Sequence, residues 1–446
     1  MLAASNPDEV GIVKFEVQPG GKLIGAFRVP GDKSISHRSI MLGSLAEGVT
    51  EVEGFLEGED ALATLQAFRD MGVQIDGPDN GRVSIHGVGL HGLKKPAQAL
   101  DLGNSGTSMR LLSGLMAGQS FDVTMIGDES LSKRPMERVA KPLRSMGAVI
   151  ETTGDKGTPP VTVRGNQALK GMHYDMPVAS AQVKSGVLLA GLYAEGETSV
   201  TEPAPTRDHT ERMLRGFGYA VEVSGATARL KGGGKLTATK IDVPADISSA
   251  AFFMVGASIA EGSDITIQHV GINPTRTGVI DILKLMGANL ELLNEREVGG
   301  EPVADIRVRS TVLHGIEIPE HLVPLAIDEF PALFVAAACA KGRTVLTGAE
   351  ELRVKESDRI QVMADGLQIL GIKADPMPDG IVIEGGQLGS GTVTSHGDHR
   401  IAMSFAMAAL RAAGTITIED CANVATSFPG FDKLAAGAGV RIRVIV

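Results

Sequence analysis

Residues 282–292 read ILKLMGANLEL, an apolar stretch with helical spacing that runs into a glycine and then into alternating, strand-like residues. A glycine directly after a helix is the usual left-handed C-cap. Similar stretches occur six times along the chain and end at Gly72, Gly147, Gly218, Gly287, Gly371 and Gly439. The sequence therefore predicts one kind of helix–strand junction that is repeated through the whole chain.

A second series of glycines alternates with the first. Its pattern is Gly-x-x-x-apolar-x-apolar, as in GSDITIQH at 262–269, and it is typical of a turn followed by a half-buried strand. The glycines that begin this pattern are Gly48, Gly118, Gly196, Gly262, Gly342 and Gly414. Because the two series interleave, we interpret the chain as six copies of a strand–loop–helix–strand unit.

The length and the repeats together predict an α/β (α+β) chain with two similar domains of three units each. At 446 residues the chain exceeds the size that one hydrophobic core usually supports. Proline-containing breaks at 29–32 and 243–246 divide it. The first domain would span 31–245, and the second would combine 1–30 with 246–446. Two chain crossings at one place would form a hinge that closes like a clamp on a ligand.

Composition excludes several classes of protein. With 43% hydrophobic and 21% charged residues the chain is globular, and its net charge of −11 argues against nucleic-acid or membrane partners. The N-terminus shows no signal peptide, and no apolar run is long enough for a membrane span. Two cysteines, Cys339 and Cys421, form neither a disulfide framework nor a metal-ligand cluster. We expect a cytoplasmic protein without a metal.

Polar residues collect in the loop that follows each glycine-led strand. These loops cover 56–60, 131–138, 206–212, 273–278, 351–359 and 424–432. Equivalent positions in a repeat could bring several of them together at the interface between the domains. The alternative is six solvated turns.

Two predicted helices begin with cations, although a helix start favours anions. In PGDKSISHR at 30–38, Lys33 opposes the helix dipole, and Ser34 and Arg38 share one face beside it. A bound phosphate or carboxylate would remove this conflict. DHR at 398–400 begins its helix in the same way. The alternatives are a capped helix with solvated cations in the first case and an Arg400–Asp398 pair in the second.

Two further stretches carry weaker signals. LGNSGTSMR at 102–110 places glycines and small polar residues before a helix, where the backbone could approach a ligand closely. KESDR at 355–359 would put Lys355 and Arg359 on one face if it is helical. Alternating charges of this kind are also typical of a solvent-exposed face.

Nine motifs spread over residues 30–429 carry a family resemblance. They read, in order, PGDKSISHR, LGNSGTSMR, SLSKRPM, ASAQVKS, TRDHT, IDEFP, LRVKESDR, DHRIAMS and TSFP. In this order and spacing the chain resembles the 5-enolpyruvylshikimate-3-phosphate synthases, and most closely the branch with TRDHT and ATSFP. The resemblance implies two similar domains of three repeated units that close on substrate.

The resemblance also implies an activity. Such an enzyme transfers the enolpyruvyl group of phosphoenolpyruvate to the 5-hydroxyl of shikimate 3-phosphate and releases phosphate, in the biosynthesis of chorismate and the aromatic amino acids. The reaction is an addition–elimination through a tetrahedral intermediate, which needs an acid and a base but no cofactor. We expect a monomer whose partners are these two small molecules.

Site residues follow from the resemblance, motif by motif. The residues implied for shikimate 3-phosphate are Lys33, Ser34, Arg38, Ser180, Gln182, Arg207, Asp328 and Lys355. Those implied for phosphoenolpyruvate are Lys33, Gly106, Arg134, Gln182, Arg359 and Arg400. The implied catalytic residues are Asp328 as base, Glu356 as acid and Lys33 beside the bridging phosphate oxygen. Taken without the resemblance, Asp328 and Glu329 could instead cap the helix that follows.

Three positions depart from the pattern of many relatives. Ala181 stands in place of a serine, Thr426 in place of a lysine, and Glu351 in place of an asparagine. Two other functions stay open at this point. One is the related transferase that acts on UDP-N-acetylglucosamine, and the other is a non-catalytic polyanion-binding protein.

The charges predict how the domains would meet. The implied ligands include cations from both segments, such as Arg134 and Arg207 from one and Lys355 and Arg400 from the other. Like charges repel, so we expect the two clusters to stay apart until anionic ligands intervene.

Overall fold

A computed structural model describes residues 13–446, so part of the predicted second domain, residues 1–12, lies outside the described residues. Over residues 13–446 the chain forms twelve α-helices and 24 strands, which confirms the mixed α/β class. The helices are α1 Lys33–Leu45, α2 Glu59–Asp70, α3 Gly106–Ala117, α4 Glu137–Ser145, α5 Ala181–Gly191, α6 His209–Gly216, α7 Ile247–Ile259, α8 Gly278–Leu285, α9 Phe330–Cys339, α10 Arg359–Ile369, α11 His399–Ala408 and α12 Phe431–Ala438.

The strands are short and distributed evenly along the chain. They are β1 Lys14–Val17, β2 Ile24–Phe27, β3 Ala46–Glu53, β4 Gln74–Asp79, β5 Arg82–Val88, β6 Leu100–Asp101, β7 Val123–Ile126, β8 Val149–Thr153, β9 Thr158–Arg164, β10 His173–Asp175, β11 Glu197–Thr201, β12 Glu222–Ser224, β13 Thr227–Lys231, β14 Leu236–Thr237, β15 Lys240–Asp242, β16 Asp264–Gly271, β17 Asn289–Val298, β18 Glu301–Arg309, β19 Arg343–Leu346, β20 Lys373–Met377, β21 Gly380–Glu384, β22 Gly391–Thr394, β23 Ile416–Glu419 and β24 Ile442–Ile445.

These elements assemble into six small sheets within residues 13–446. In the order β6-β7-β9-β8, a parallel pair is extended by an antiparallel hairpin, and β10-β11-β13-β12 repeats that order. Each full unit is thus strand–helix–strand–helix–strand–strand, longer than the predicted unit by two strands and a helix. The added helix is buried all round, as in α7, where every residue is buried. Such a helix has no amphipathic period, so the sequence marks it only where a motif stands at its start, as at 30–38 and 398–400.

The N-terminal segment completes two sheets at the far end of the chain. Strand β1 lies between β23 and β24 and is antiparallel to both, and β2 pairs in parallel with β16. After β2 the chain crosses at residues 29–32 into the segment that continues to residue 243. It crosses back at residues 243–246, beside the first crossing. The two crossings are joined by the Asp32 N–H, which donates to the Pro244 carbonyl at 2.8 Å, and by the Asp246 N–H, which donates to the Pro30 carbonyl at 2.9 Å.

Buried apolar side chains form two clusters. One draws on residues 35–243 and the other on residues 15–29 and 245–440. We call residues 31–245 the first half and residues 13–30 with 246–446 the second half. In the part of the chain that the structure describes, no helix is long and apolar enough to cross a membrane.

Glycines are required at specific points of the repeat. The six glycines that end the second helix of each unit have φ from +81° at Gly218 to +127° at Gly439, which confirms the predicted left-handed caps. A further set of glycines lies at the end of the hairpin in a unit. There the hairpin passes over the C-terminal end of the first helix of that unit. A Cβ on Gly385 would lie 1.6 Å from the Ala340 carbonyl oxygen, and one on Gly232 would lie 1.9 Å from that of Ala194.

Gly385→Ala tests this packing. The methyl group collides with backbone that cannot rotate away, so we expect a loss of at least about 2 kcal/mol in the free energy of unfolding, measured by urea denaturation. Gly437 is the matched control, because it is exposed in helix α12 and its Cβ would meet nothing within 4 Å. Gly437→Ala should stabilise by about 0.5–1 kcal/mol. Equal effects of the two substitutions would contradict the collision.

Candidate functional site

The start of helix α1 carries the first predicted cation. Asp32 caps the helix, since its Oδ1 accepts the Ile35 N–H at 2.8 Å. The Lys33 ammonium forms an ion pair with Asp60, the second residue of α2. The predicted conflict between Lys33 and the helix start is therefore met by a carboxylate of the chain itself. The sequence had identified the loop 56–60 but not Asp60.

Asp328 collects cations from both halves. Its carboxylate pairs with Arg207, and it lies 3.7 Å from Lys355 Nζ and 3.4 Å from Arg359 Nη1. Arg400 donates to the backbone carbonyl of Asp328 at 3.1 Å. Burial alone would raise the pKa of this carboxyl group, but the surrounding cations outweigh it and hold the pKa well below its usual range. Asp328 is ionised in this arrangement.

Glu356 is the second carboxylate of the cluster. It accepts a hydrogen bond from Arg359 Nη2 at 2.6 Å and lies 3.8 Å from Arg134 Nη1 of the first half. Burial would raise its pKa, but Arg359 and then Arg134 lower it, so that the pKa of Glu356 falls well below its usual value. Two arginines from opposite halves thus keep it charged.

Arg359 is fully buried and is held by Asp398. Its Nε donates to Asp398 Oδ2 at 2.8 Å, and its Nη2 donates to Oδ1 at 3.3 Å. The suggested pair between Arg400 and Asp398 is therefore wrong for the side chain, since Asp398 accepts only the backbone N–H of Arg400. The carboxylate of Asp398 caps α11 and at the same time fixes the arginine that begins α10.

The segment around Lys355 is not a helix. A 3-10 turn ends at Val354, Lys355 is extended, and α10 begins at Arg359 after the cap Asp358. The condition for a common helical face of Lys355 and Arg359 is therefore not met. Both side chains still lie within 4 Å of the same oxygen of Asp328, at 3.7 Å for Lys355 and 3.4 Å for Arg359.

The glycine-rich stretch 102–110 supports a pair of arginines. Asn104 Oδ1 accepts a hydrogen bond from Arg134 Nη2 at 3.0 Å, and Gln182 Oε1 accepts one from Arg110 Nη1 at 2.6 Å. Gly106 begins α3 between them, and a Cβ there would lie 2.9 Å from Arg110 Nη1 and 3.1 Å from Arg134 Nη1. Arg110 was not among the predicted site residues, although its motif was. Burial lowers its pKa to about 10.

Arg38 is a second buried arginine among the predicted site residues. It is buried among α1, α5 and α6, and it donates to Thr210 Oγ1 at 2.7 Å, to Ser185 Oγ at 3.0 Å and to the Ser34 carbonyl at 3.0 Å. Burial lowers its pKa to about 10. Ser180 is the cap of α5 and accepts the Val183 N–H, so its hydroxyl lies at the start of a helix.

The two halves meet directly through ion pairs. Arg207 pairs with Asp328, Arg134 with Glu356, and Arg138 with Glu351 at 3.2 Å. Each of these pairs joins a cation of the first half to a carboxylate of the second half. The chain supplies its own carboxylates, and these neutralise cations from both sides.

The structure also shows the surroundings of the suggested cap of α9 and of two positions that depart from the pattern of many relatives. Asp328 and Glu329 do not cap α9 with their side chains; the Glu329 carboxylate instead accepts a hydrogen bond from Ser248. Thr426 is buried against the start of α2, where a Cβ on Gly58 would lie 2.5 Å from its carbonyl oxygen. Ala181 is the half-buried first residue of α5. Within residues 13–446, no group of three or more His, Cys, Asp or Glu side chains is placed to hold a metal.

Comparisons with known proteins agree with the motifs. A family model described as EPSP synthase (3-phosphoshikimate 1-carboxyvinyltransferase) matches residues 17–434. A 3-phosphoshikimate 1-carboxyvinyltransferase of Alkalilimnicola ehrlichii is 70% identical over 96% of each chain. One of Methylococcus capsulatus is 70% identical over 97% of this chain and 99% of its own.

Solved structures agree as well. EPSP synthase from Acinetobacter baumannii superposes with a TM-score of 0.88 at 67% identity, covering 97% of this chain and all of its own. The enolpyruvyl transferase NikO from Streptomyces tendae has a TM-score of 0.80 at 18% identity, with 98% of this chain and 99% of its own covered, which shows a shared fold alone. The family resemblance drawn from the motifs is confirmed.

Asp328→Asn tests the charge balance of the site. The variant should be less stable than the parent by about 3 kcal/mol at neutral pH, because several cations lose their carboxylate. The lowered pKa of Asp328 stabilises the folded parent protein at pH values above about 3.9, the pKa of an aspartate in the unfolded chain. This stabilisation is lost as the pH falls from there toward the pKa of Asp328 in the folded protein. Urea denaturation should therefore show a constant difference above about pH 5 that shrinks below about pH 4. A difference that grows on acidification would contradict this charge balance.

Proposed function

Because the chain belongs to the EPSP synthase family, we propose that the charged cluster between its two halves carries out the family reaction. The activity is that of a 3-phosphoshikimate 1-carboxyvinyltransferase: the enolpyruvyl group passes from phosphoenolpyruvate to the 5-hydroxyl of shikimate 3-phosphate, and phosphate is released. One observation carries the assignment to this cluster. Cations from both halves converge on two partly buried carboxylates, Asp328 and Glu356.

Both substrates are small polyanions, so cations that now bind internal carboxylates could bind them instead. We assign shikimate 3-phosphate to the residues Lys33, Ser34, Arg38, Ser180, Gln182, Arg207, Asp328 and Lys355. We assign phosphoenolpyruvate to Lys33, Gly106, Arg134, Gln182, Arg359 and Arg400. Arg38 fits this role because its three hydrogen bonds to protein leave two of the five guanidinium N–H groups free.

Asp328 is the proposed general base. As the 5-hydroxyl oxygen attacks C2 of phosphoenolpyruvate, its proton passes to the Asp328 carboxylate, and Glu356 gives a proton to C3. In the second step C3 returns a proton to Glu356 while the C2–phosphate bond breaks. Asp328 then gives its proton to the departing phosphate beside Lys33. Protons and electron pairs balance over the two steps.

The acid role of Glu356 depends on ligand binding. Its pKa is low because Arg359 and Arg134 face it. When the phosphate and carboxylate of phosphoenolpyruvate take over these guanidinium groups, the favourable partners of the Glu356 carboxylate are lost and negative charge comes near. Both changes raise its pKa, so the carboxyl group can hold the proton that it must deliver.

The paired crossings at 29–32 and 243–246 are the proposed hinge between two domains with the boundaries given above. We also propose that the enzyme is a monomer, because a single chain supplies every residue assigned here. Cys339 and Cys421 are both free thiols. Free thiols are typical of a reducing compartment, which supports action in the cytoplasm.

Phosphate release tests this function. Protein treated with a metal chelator should release phosphate from phosphoenolpyruvate only when shikimate 3-phosphate is added, and Glu356→Gln should lower kcat by roughly 100-fold or more. Glu351→Gln is the matched control, because Glu351 lies on the same loop and also pairs across the halves, but its partner is the half-exposed Arg138. It should keep kcat within about threefold. Binding of shikimate 3-phosphate without turnover would favour the non-catalytic alternative.

Gly106→Ala tests the phosphoenolpyruvate assignment. The added methyl group must displace the guanidinium ends of Arg110 and Arg134, both within about 3 Å of it. We expect the KM for phosphoenolpyruvate to rise by a factor that corresponds to about 1–3 kcal/mol, with a smaller change for shikimate 3-phosphate. Steady-state kinetics with each substrate varied in turn measures both. Equal increases would remove Gly106 from the phosphoenolpyruvate subsite.

A further inference from the structure

Arg276 lies where the two chain crossings meet, in the loop between β16 and α8. It is buried, and its Nη1 donates to Asp32 Oδ2 at 2.8 Å while its Nη2 donates to Asp246 Oδ1 at 3.0 Å. Asp32 belongs to the first half and Asp246 to the second. The polar loop 273–278 was one of the six noted in the sequence, yet none of its residues has a place in the function proposed above.

On one side, Arg276 controls the start of α1. Asp32 precedes Lys33 and caps the helix. Asp246 Oδ2 accepts the backbone N–H of Lys33 at 3.0 Å. The backbone on both sides of the Lys33 Cα is therefore held by carboxylates whose second oxygens bind the guanidinium group of Arg276.

On the other side, Arg276 reaches the segment of the proposed base. Its Nη2 also donates to Ser248 Oγ at 2.9 Å. The Ser248 hydroxyl donates to the carboxylate of Glu329, the residue that follows Asp328. Arg276 is thus connected to Asp328 through one hydroxyl and one carboxylate.

A third contact leads to Arg207. His209 Nε2 lies 3.3 Å from Arg276 Nη1, and its Nδ1 lies 2.8 Å from Glu301 Oε1. Because the guanidinium group can only donate, Nε2 is the acceptor and the Nδ1–H donates to Glu301. His209 begins α6, two residues after Arg207. All four terminal N–H groups of Arg276 therefore point to partners near proposed site residues.

We propose that Arg276 is a positioning residue that holds Lys33, Arg207 and Asp328 at the distances the reaction needs. The inference rests on the proposed function, which gives those three residues their roles. A planar guanidinium group with fixed donor directions can join four partners at once, and an ammonium group cannot reproduce that geometry. Arg276 itself touches no reacting atom in this account.

Arg276→Lys keeps the positive charge but removes the planar guanidinium group and its fixed donor directions. In the full-length enzyme, kcat per folded active site should fall roughly 10- to 100-fold. Displacements of about 1 Å in Lys33, Arg207 and Asp328 reduce the stabilisation of the transition state more than the binding of the substrates. The KM values for both substrates should stay within about threefold, since ground-state contacts tolerate small shifts. Ile282→Ala, a core substitution in the neighbouring helix α8, is the control for stability and should keep its kcat.

The outcomes separate the two proposals. Failure of the parent protein to turn over would overturn the proposed function together with this inference. A parent that turns over and an Arg276→Lys variant with kcat within twofold, or with only the KM raised, would overturn the inference alone. If Arg276→Lys does not fold, Ser248→Ala decides, because it removes only the connection to Glu329. A fall in its kcat of about threefold or more supports the inference, and an unchanged kcat overturns it.

Discussion

The structure depends on the compensation of charge in the partly buried cluster around Asp328 and Glu356. Arginine and lysine side chains from both halves meet there, and charges removed from water are tolerated only when each has a partner. Asp328 and Glu356 supply those partners across the interface, and Asp398 supplies one for Arg359. The repeats place helix starts and polar loops at the interface between the two halves. The fold therefore determines where the cations lie, and the carboxylates make it possible for them to lie close together.

The same compensation explains how the cluster can be both stable and reactive. We propose that a carboxylate that balances arginines in this arrangement becomes a base or an acid once anionic substrates take its place. Asp328 is already ionised, but the cations that hold its pKa low also make it a weak proton acceptor, so it too needs the substrate anions to take over those cations. Glu356 needs the competing anions, because only their arrival makes its protonated form favourable. Binding and proton transfer are therefore two consequences of one exchange of partners.

Local features of the fold could be predicted from the sequence, and distant pairings could not. The glycines that end the second helices were predictable, since a left-handed cap is a local requirement, and so was the cation at the start of α1. Asp60 was missed because its partner Lys33 is far away in sequence, and Arg276 was missed because its carboxylates lie on other elements. Whether 355–359 is helical stayed open in the sequence, and the structure answers it: Asp358 caps α10 and leaves Lys355 outside the helix.

We propose that the substrates replace internal carboxylates as the partners of the cations in this cluster. A crystal structure with shikimate 3-phosphate and an unreactive analogue of phosphoenolpyruvate tests it most directly. The account predicts Lys33, Arg207 and Arg134 within about 3 Å of ligand oxygens, and longer distances from these side chains to Asp60, Asp328 and Glu356. Ligands bound elsewhere, with all three internal ion pairs intact, would contradict it.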